Sequence, residues 1–146
     1  LIPPQYISAE AVVERSIIGE GSEIHGEVYN SVIGPGVVIK KGSVVRNSII
    51  MKQSFIGENV TIDKAIIAEN VTVGNNVVMG VGEDVPNKEK PRVYSFGLVT
   101  IGENSVIPAD VRIGINTAIV GETTPEDYPD GELASGETLN KEGETA

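Results

Sequence analysis

The chain has no cysteine, no tryptophan, a single histidine and only 4% aromatic residues in its 146 positions. Without cysteine it can build neither a disulfide framework nor a thiolate metal site, a usage that suits a cytoplasmic protein. With so few rings, any core must be filled by Val, Ile and small side chains. No apolar run approaches the ~20 residues a membrane-crossing helix needs, and no signal-peptide pattern opens the chain. Basic residues are also scarce, 11 against 21 acids, for a formal charge of −10. That charge is uneven: residues 121–146 hold eight acids and one lysine. Neither part offers the basic stripe that a nucleic-acid backbone requires. P-loop, strand-associated GxGxxG and HExxH patterns are all missing. The neighbouring carboxylates Glu83-Asp84 and Glu126-Asp127 sit in polar stretches and read as solvated charge.

What is present is a repeat. Aliphatic residues recur at Ile33, Ile39, Val45, Ile50, Ile56, Ile62, Ile67, Val73 and Met79, in steps of 6, 6, 5, then 6, 6, 5, then 6, 6. Three steps make 17, so Ile33, Ile50 and Ile67 are one position met three times, and so are Ile39, Ile56 and Val73. Ser31, Ser48 and Ala65 form another such column. β-Branched residues at this period, without helical spacing, predict a β-solenoid. Gly36, Gly42, Asn59, Asn70 and Asn76 follow the aliphatics by three residues. Gly and Asn tolerate the left-handed backbone region, so each marks a corner. The next residues, Val37, Ser43, Val60, Val71 and Val77, are placed to point inward. Three short strands and three corners make one coil, and coils stack at about 4.8 Å. Ser48 and Ala65 fall at the side shortened by one residue, which predicts a tighter corner there. Periodicity leaves the hand of the winding open.

At this length there is room for one domain. Residues 1–6, with Pro3 and Pro4, read as a linker from a missing upstream domain. Residues 7–120 form the β-helix, with a contracted coil of 15 residues between Ile18 and Ile33. A long inserted loop spans 80–98 and carries Lys88, Lys90, Arg92, Tyr94 and Phe96. The repeat resumes at Ile101, Ile107, Ile113 and Ile119, with Asn104, Asp110 and Asn116 at the corners. Residues 121–146 are an acidic tail with two prolines and no period, expected to be disordered or loosely packed. A short end-capping piece near Tyr128 or Leu133 is the alternative, because an open solenoid end needs cover.

Catalytic chemistry is sparse. His25 could serve as the general base of a hexapeptide acyltransferase using acetyl-CoA, but it follows Ile24 in the contracted coil, away from the loop. The basic residues are more suggestive. Arg46 and Lys64 lie 18 residues apart, near the ends of matching short sides. Cations gathered at one edge are suited to a phosphorylated or carboxylated small molecule. Taken singly, surface lysines serve solubility.

The segments SVIGPGVVIKKGSVVRNSIIM, IDKAIIAENVTVG and VYSFGLVTIGENSVIPADVRIG, with PPQYIS before them, resemble the C-terminal domain of the bacterial glucose-1-phosphate adenylyltransferases over about residues 3 to 120. The resemblance implies an all-β, left-handed parallel β-helix serving as a regulatory and oligomerising domain, not catalytic by itself. It implies a cytoplasmic homotetramer in the full enzyme, converting ATP and glucose 1-phosphate to ADP-glucose and pyrophosphate for glycogen synthesis. Mg²⁺ and ATP would be held by the domain absent from this chain, with no cofactor here. By the same resemblance a sugar phosphate effector would be held between domains, with Lys64 of DKAII and Arg92 of PRVYS at matching positions; Arg46, which the coil register sets near Lys64, is a third candidate for that site.

Overall fold

In a computed structural model that describes residues 2–141, the chain winds into a parallel β-solenoid of three flat faces. The first sheet has six strands, and the second and third have seven each. Successive strands visit the sheets in turn. Tyr6–Ile7 opens the first sheet, Val12–Glu14 the second and Ile17–Ile18 the third, and the next coil begins at Glu23–Ile24. All strand pairs are parallel, each strand bonding to the strand one coil away.

The inward columns are those the period predicts. Ile56 pairs in register with Ile39 and Val73, and Ile50 with Ile33 and Ile67. All of these side chains are buried. The corners agree: Gly36, Gly42, Asn59, Asn70 and Asn76 all have positive φ, between 56° and 79°. Val37, Ser43, Val60, Val71 and Val77 behind them are buried. Ser31 and Ser48 do more than fit a tight corner. The Ser48 N–H donates to Ser31 Oγ at 3.1 Å, and the Ala65 N–H to Ser48 Oγ at 3.0 Å. Each hydroxyl therefore supplies an acceptor to a corner amide that the strand ladder does not satisfy.

The contracted coil loses its residues at one corner. Only His25 and Gly26 separate Glu23–Ile24 from Glu27–Tyr29, and Val28 takes the inward place within the nine-residue gap. Gly26 is required there, because a β-carbon would stand 2.4 Å from the Ser43 carbonyl oxygen.

Two boundaries are corrected. The solenoid begins one residue inside the expected linker, because Tyr6 already pairs with Glu23. The tail expected to be disordered from residue 121 is instead built into the fold as far as residue 141. Glu132–Leu133 pairs with Arg112–Ile113, and Thr138–Asn140 with Ala118–Val120. Where a first-sheet strand would come, a 3₁₀ turn over Pro125–Asp127 leads Tyr128 onto the end of the core. The acids mislead because Glu132 points outward while the next residue, Leu133, continues the inward column of Ile113. Lys141 Nζ pairs with the Asp127 carboxylate at 2.8 Å and ties the turn down. The last five positions of the tail expectation, 142–146, lie outside the described residues.

Candidate functional site

The corner between the second and third sheets turns on a single residue of positive φ. Arg15, Asn30, Asn47 and Lys64 occupy it in successive coils, each with φ between 49° and 55°. Asn tolerates that region, whereas Arg and Lys enter it at a cost of roughly 1 kcal/mol. A ladder of side chains runs up this edge. Arg15 Nε donates to Asn30 Oδ1 at 2.8 Å, Asn30 Nδ2 to Asn47 Oδ1 at 3.2 Å, and Asn47 Nδ2 to Asp63 Oδ1 at 3.1 Å.

Arg46 and Lys64 meet at this edge. Arg46 ends its strand opposite Asp63, and the Lys64 N–H donates to the Arg46 carbonyl at 3.1 Å. The Arg46 guanidinium lies 4.6 Å from the centre of the Tyr29 ring, a favourable cation–π arrangement. The Tyr29 hydroxyl donates to Glu27 at 2.6 Å, and that bond to a carboxylate raises the phenol pKa. Among the described residues neither Arg46 nor Lys64 has a carboxylate within ion-pair distance; the four pairs formed involve Arg15, Lys52, Lys88 and Lys141. The two cations therefore face outward with charge to offer.

In the fifth coil the same corner is replaced by residues 80–98, which hold no strand. The segment is fastened by a residue that the sequence did not single out. Asn87 is 2% exposed, and its Nδ2 donates to the Asn116 carbonyl at 3.0 Å and to Thr138 Oγ1 at 3.0 Å. Its Oδ1 accepts from the N–H groups of Glu89 and Lys90, both at 2.9 Å. An Asn capping the two amides that follow it is a known turn signal, and Pro86-Asn87 could have been read so. Asn116 completes the clamp, donating to Asp84 Oδ1 at 3.1 Å and the Val85 carbonyl at 2.8 Å, while its Oδ1 accepts from the Gly97 N–H at 2.8 Å. Lys88 pairs with Glu137.

Arg92 is exposed on this segment, in a turn where the N–H groups of Val93 and Tyr94 both donate to the Lys90 carbonyl. No hydrogen bond or ion pair joins it to Arg46 or Lys64. Lys64 is closer to the segment's end, its stem passing 3.8 Å from where a β-carbon on Gly97 would be. The fold thus sets Arg46 and Lys64 on adjacent coils at one edge, and Arg92 in the segment that replaces the same corner in the next coil.

His25 lies elsewhere, at the corner between the first and second sheets. Its ring is 5.6 Å from that of Tyr6, and it lines a groove of about 260 Å³ with Glu10, Lys40, Lys41 and Glu58. Among the described residues no side chain hydrogen-bonds its ring nitrogens, so nothing orients it as a base. Among the same residues, no cluster of three or more His, Cys, Asp or Glu side chains is placed to hold a metal ion.

Comparison with known proteins follows the same line. The GlmU-like, C-terminal hexapeptide family matches residues 5–101. The glucose-1-phosphate adenylyltransferase of Lachnospira eligens is 59% identical over 98% of this chain, which covers 34% of that protein. That of Thermotoga neapolitana is 56% identical over 93% of the chain, covering 32%. The chain therefore spans about a third of the length of the curated relatives it matches. Among solved structures, the acetyltransferase domain of PglB from Neisseria gonorrhoeae superposes with a TM-score of 0.55 at 21% identity, over 92% of this chain and 56% of that one. At that identity the likeness concerns the fold alone. The period, the parallel coils and these matches agree: the chain belongs to the GlmU-like C-terminal hexapeptide family and is homologous to the β-helix region of glucose-1-phosphate adenylyltransferases.

Proposed function

We propose that this chain is the regulatory and oligomerising part of a glucose-1-phosphate adenylyltransferase, wound with a left hand. The rest of that cytoplasmic enzyme would form ADP-glucose and pyrophosphate from ATP and glucose 1-phosphate, as a homotetramer. The observation that carries this reading is 59% identity to an enzyme of that name across 98% of this chain. Mg²⁺ and ATP belong to the rest of the polypeptide, and no step is assigned to them here. On this reading the solenoid does no chemistry. Its outward cations, Arg46 and Lys64, form one wall of a site for a sugar phosphate effector, and Arg92 adds a third charge when the neighbouring domain is in place. An acyl-transfer reading centred on His25 has only the shared fold behind it.

The test is kinetic and uses the full-length enzyme. Lys64→Ala and Arg92→Ala should each raise the effector concentration for half-maximal activation by about tenfold, the loss of one charge-assisted contact of ~1.4 kcal/mol. Turnover without effector should stay near normal. Unaltered activation in either variant would remove that residue from the site.

A further inference from the structure

The turn that returns residues 80–98 to the solenoid carries an unsuitable residue for its shape. The Leu98 N–H donates to the Ser95 carbonyl at 3.2 Å, and both residues between them, Phe96 and Gly97, have positive φ, 61° and 77°. Two positive φ values at the centre of such a turn are the pattern of type I′, whose first central position is ordinarily Asn, Asp or Gly. Phe has a β-carbon and no short polar group, so it enters this region under strain. Nor does its ring join the core: Phe96 is 87% exposed, the highest value among the large apolar residues described. The Gly97 N–H bond to Asn116 Oδ1 holds the turn, but among the described residues the Phe96 ring stacks on no aromatic ring and no cation.

A second exposed apolar surface lies on the third sheet, whose fifth strand this turn leads into. The outward column of the third sheet reads Ile17, Val32, Ile49 and Ile66 in strict register, then turns polar at Thr100. Ile17 is 67% exposed, and Val32, Ile49 and Met51 are exposed as well. The track ends at Thr100, in the strand that follows the Phe96–Gly97 turn.

We propose that Phe96 is an anchor that seats this solenoid against the portion of polypeptide its relatives possess beyond the matched third, with the outward column of the third sheet as the floor of the contact. A large aromatic held rigid at a loop tip is the residue type that dominates such interfaces. The inference rests on the reading of the chain as part of a longer adenylyltransferase. The relatives supply the occupant, since this chain covers only 34% of the Lachnospira eligens enzyme. A second copy fits less well. Two-fold pairing through Phe96 would bring into one contact both copies of Lys64, whose stem lies beside Gly97 of the same turn. Among the described residues Lys64 has no acidic partner at ion-pair distance.

Phe96→Asn supplies the residue the turn prefers and removes the ring. In the 146-residue chain the variant should melt at the same or a higher temperature. In the full-length protein it should speed proteolytic cleavage between the two parts about tenfold, tracking the undocked population. In a parallel experiment 4-fluorophenylalanine replaces Phe96. Its ¹⁹F signal should be that of a solvated ring in the 146-residue chain and shift to a buried position in the full-length protein. A lower melting temperature for Phe96→Asn in the short chain would make Phe96 a structural residue and overturn the proposal. So would a solvated ¹⁹F signal in both proteins. A buried signal that grows with concentration of the short chain would assign the surface to a second copy instead. Adenylyl transfer by the unsubstituted full-length protein is measured alongside. Its absence would sink the functional reading while leaving the docking result to stand on its own.

Discussion

Ile56 illustrates how little freedom a single position has. It sits between Ile39 and Val73 in an inward column and has no exposure. Ile56→Asp would place a carboxylate in that column with no partner, costing several kcal/mol, of the order of a domain's whole stability. The variant should be unfolded or insoluble by circular dichroism; a soluble protein with a cooperative melt would contradict the register. Tyr128 has a subtler signature. Burial pushes its phenol up to about 12 from the ordinary 10.0, with the Thr123 hydrogen bond opposing and the charge of Asp127 adding. The unfolded chain therefore releases this proton first. Stability should fall as pH rises from about 10 to 12, by on the order of 2 kcal/mol. Comparing wild type with Tyr128→Phe isolates that slope, because the two chains differ in this one phenol. Parallel slopes would mean that Tyr128 is not buried on the core end.

At the scale of elements, the 80–98 segment is a loop made rigid by polar contacts rather than by a core of its own. Asn87 satisfies the Asn116 carbonyl and the amides of Glu89 and Lys90 at once, from a position 2% exposed. Asn87→Ala would orphan those groups, at roughly 1–3 kcal/mol for a buried unsatisfied partner. Limited proteolysis followed by mass spectrometry should then show new early cuts within 80–98, with a melting temperature lower by several degrees. Cleavage at the wild-type rate would show that the clamp does not hold the loop. The segment enters at the corner that Lys64 occupies one coil earlier, and a β-carbon on Gly97 of its return turn would lie 3.8 Å from the Lys64 stem.

For the whole molecule, stability is close to a sum over neighbouring coils, so the ends matter most. The last coil covers Ile113 and Ile119 with Leu133 and Leu139, and Tyr128 closes the core. It also receives the loop, through Lys88 N–H to the Gly136 carbonyl at 2.9 Å and Asn87 to Thr138. Truncation after Val120, the boundary that composition suggests, should therefore expose two strand edges and release the loop together. A 1–120 chain should melt at least 10 °C lower or self-associate in size-exclusion chromatography with light scattering, the behaviour expected of an uncapped solenoid. A monomer as stable as the full chain would show that residues 121–141 are dispensable.

Much of this fold was legible in the residues themselves. In a solenoid each contact is repeated one coil later, so the register of Ile39, Ile56 and Val73 and the left-handed corners at Asn59, Asn70 and Asn76 follow from counting alone. The edge shared by Arg46 and Lys64 was legible for the same reason. What counting could not reach were features made once. Asn87 acts on residues 29 and 51 positions away, Tyr128 closes a core it does not repeat, and the coil of Leu133 and Leu139 hides its two inward side chains among acids. Those depend on where unlike segments happen to meet in three dimensions. A period in one dimension carries no information about such meetings, so only the tertiary structure could decide them.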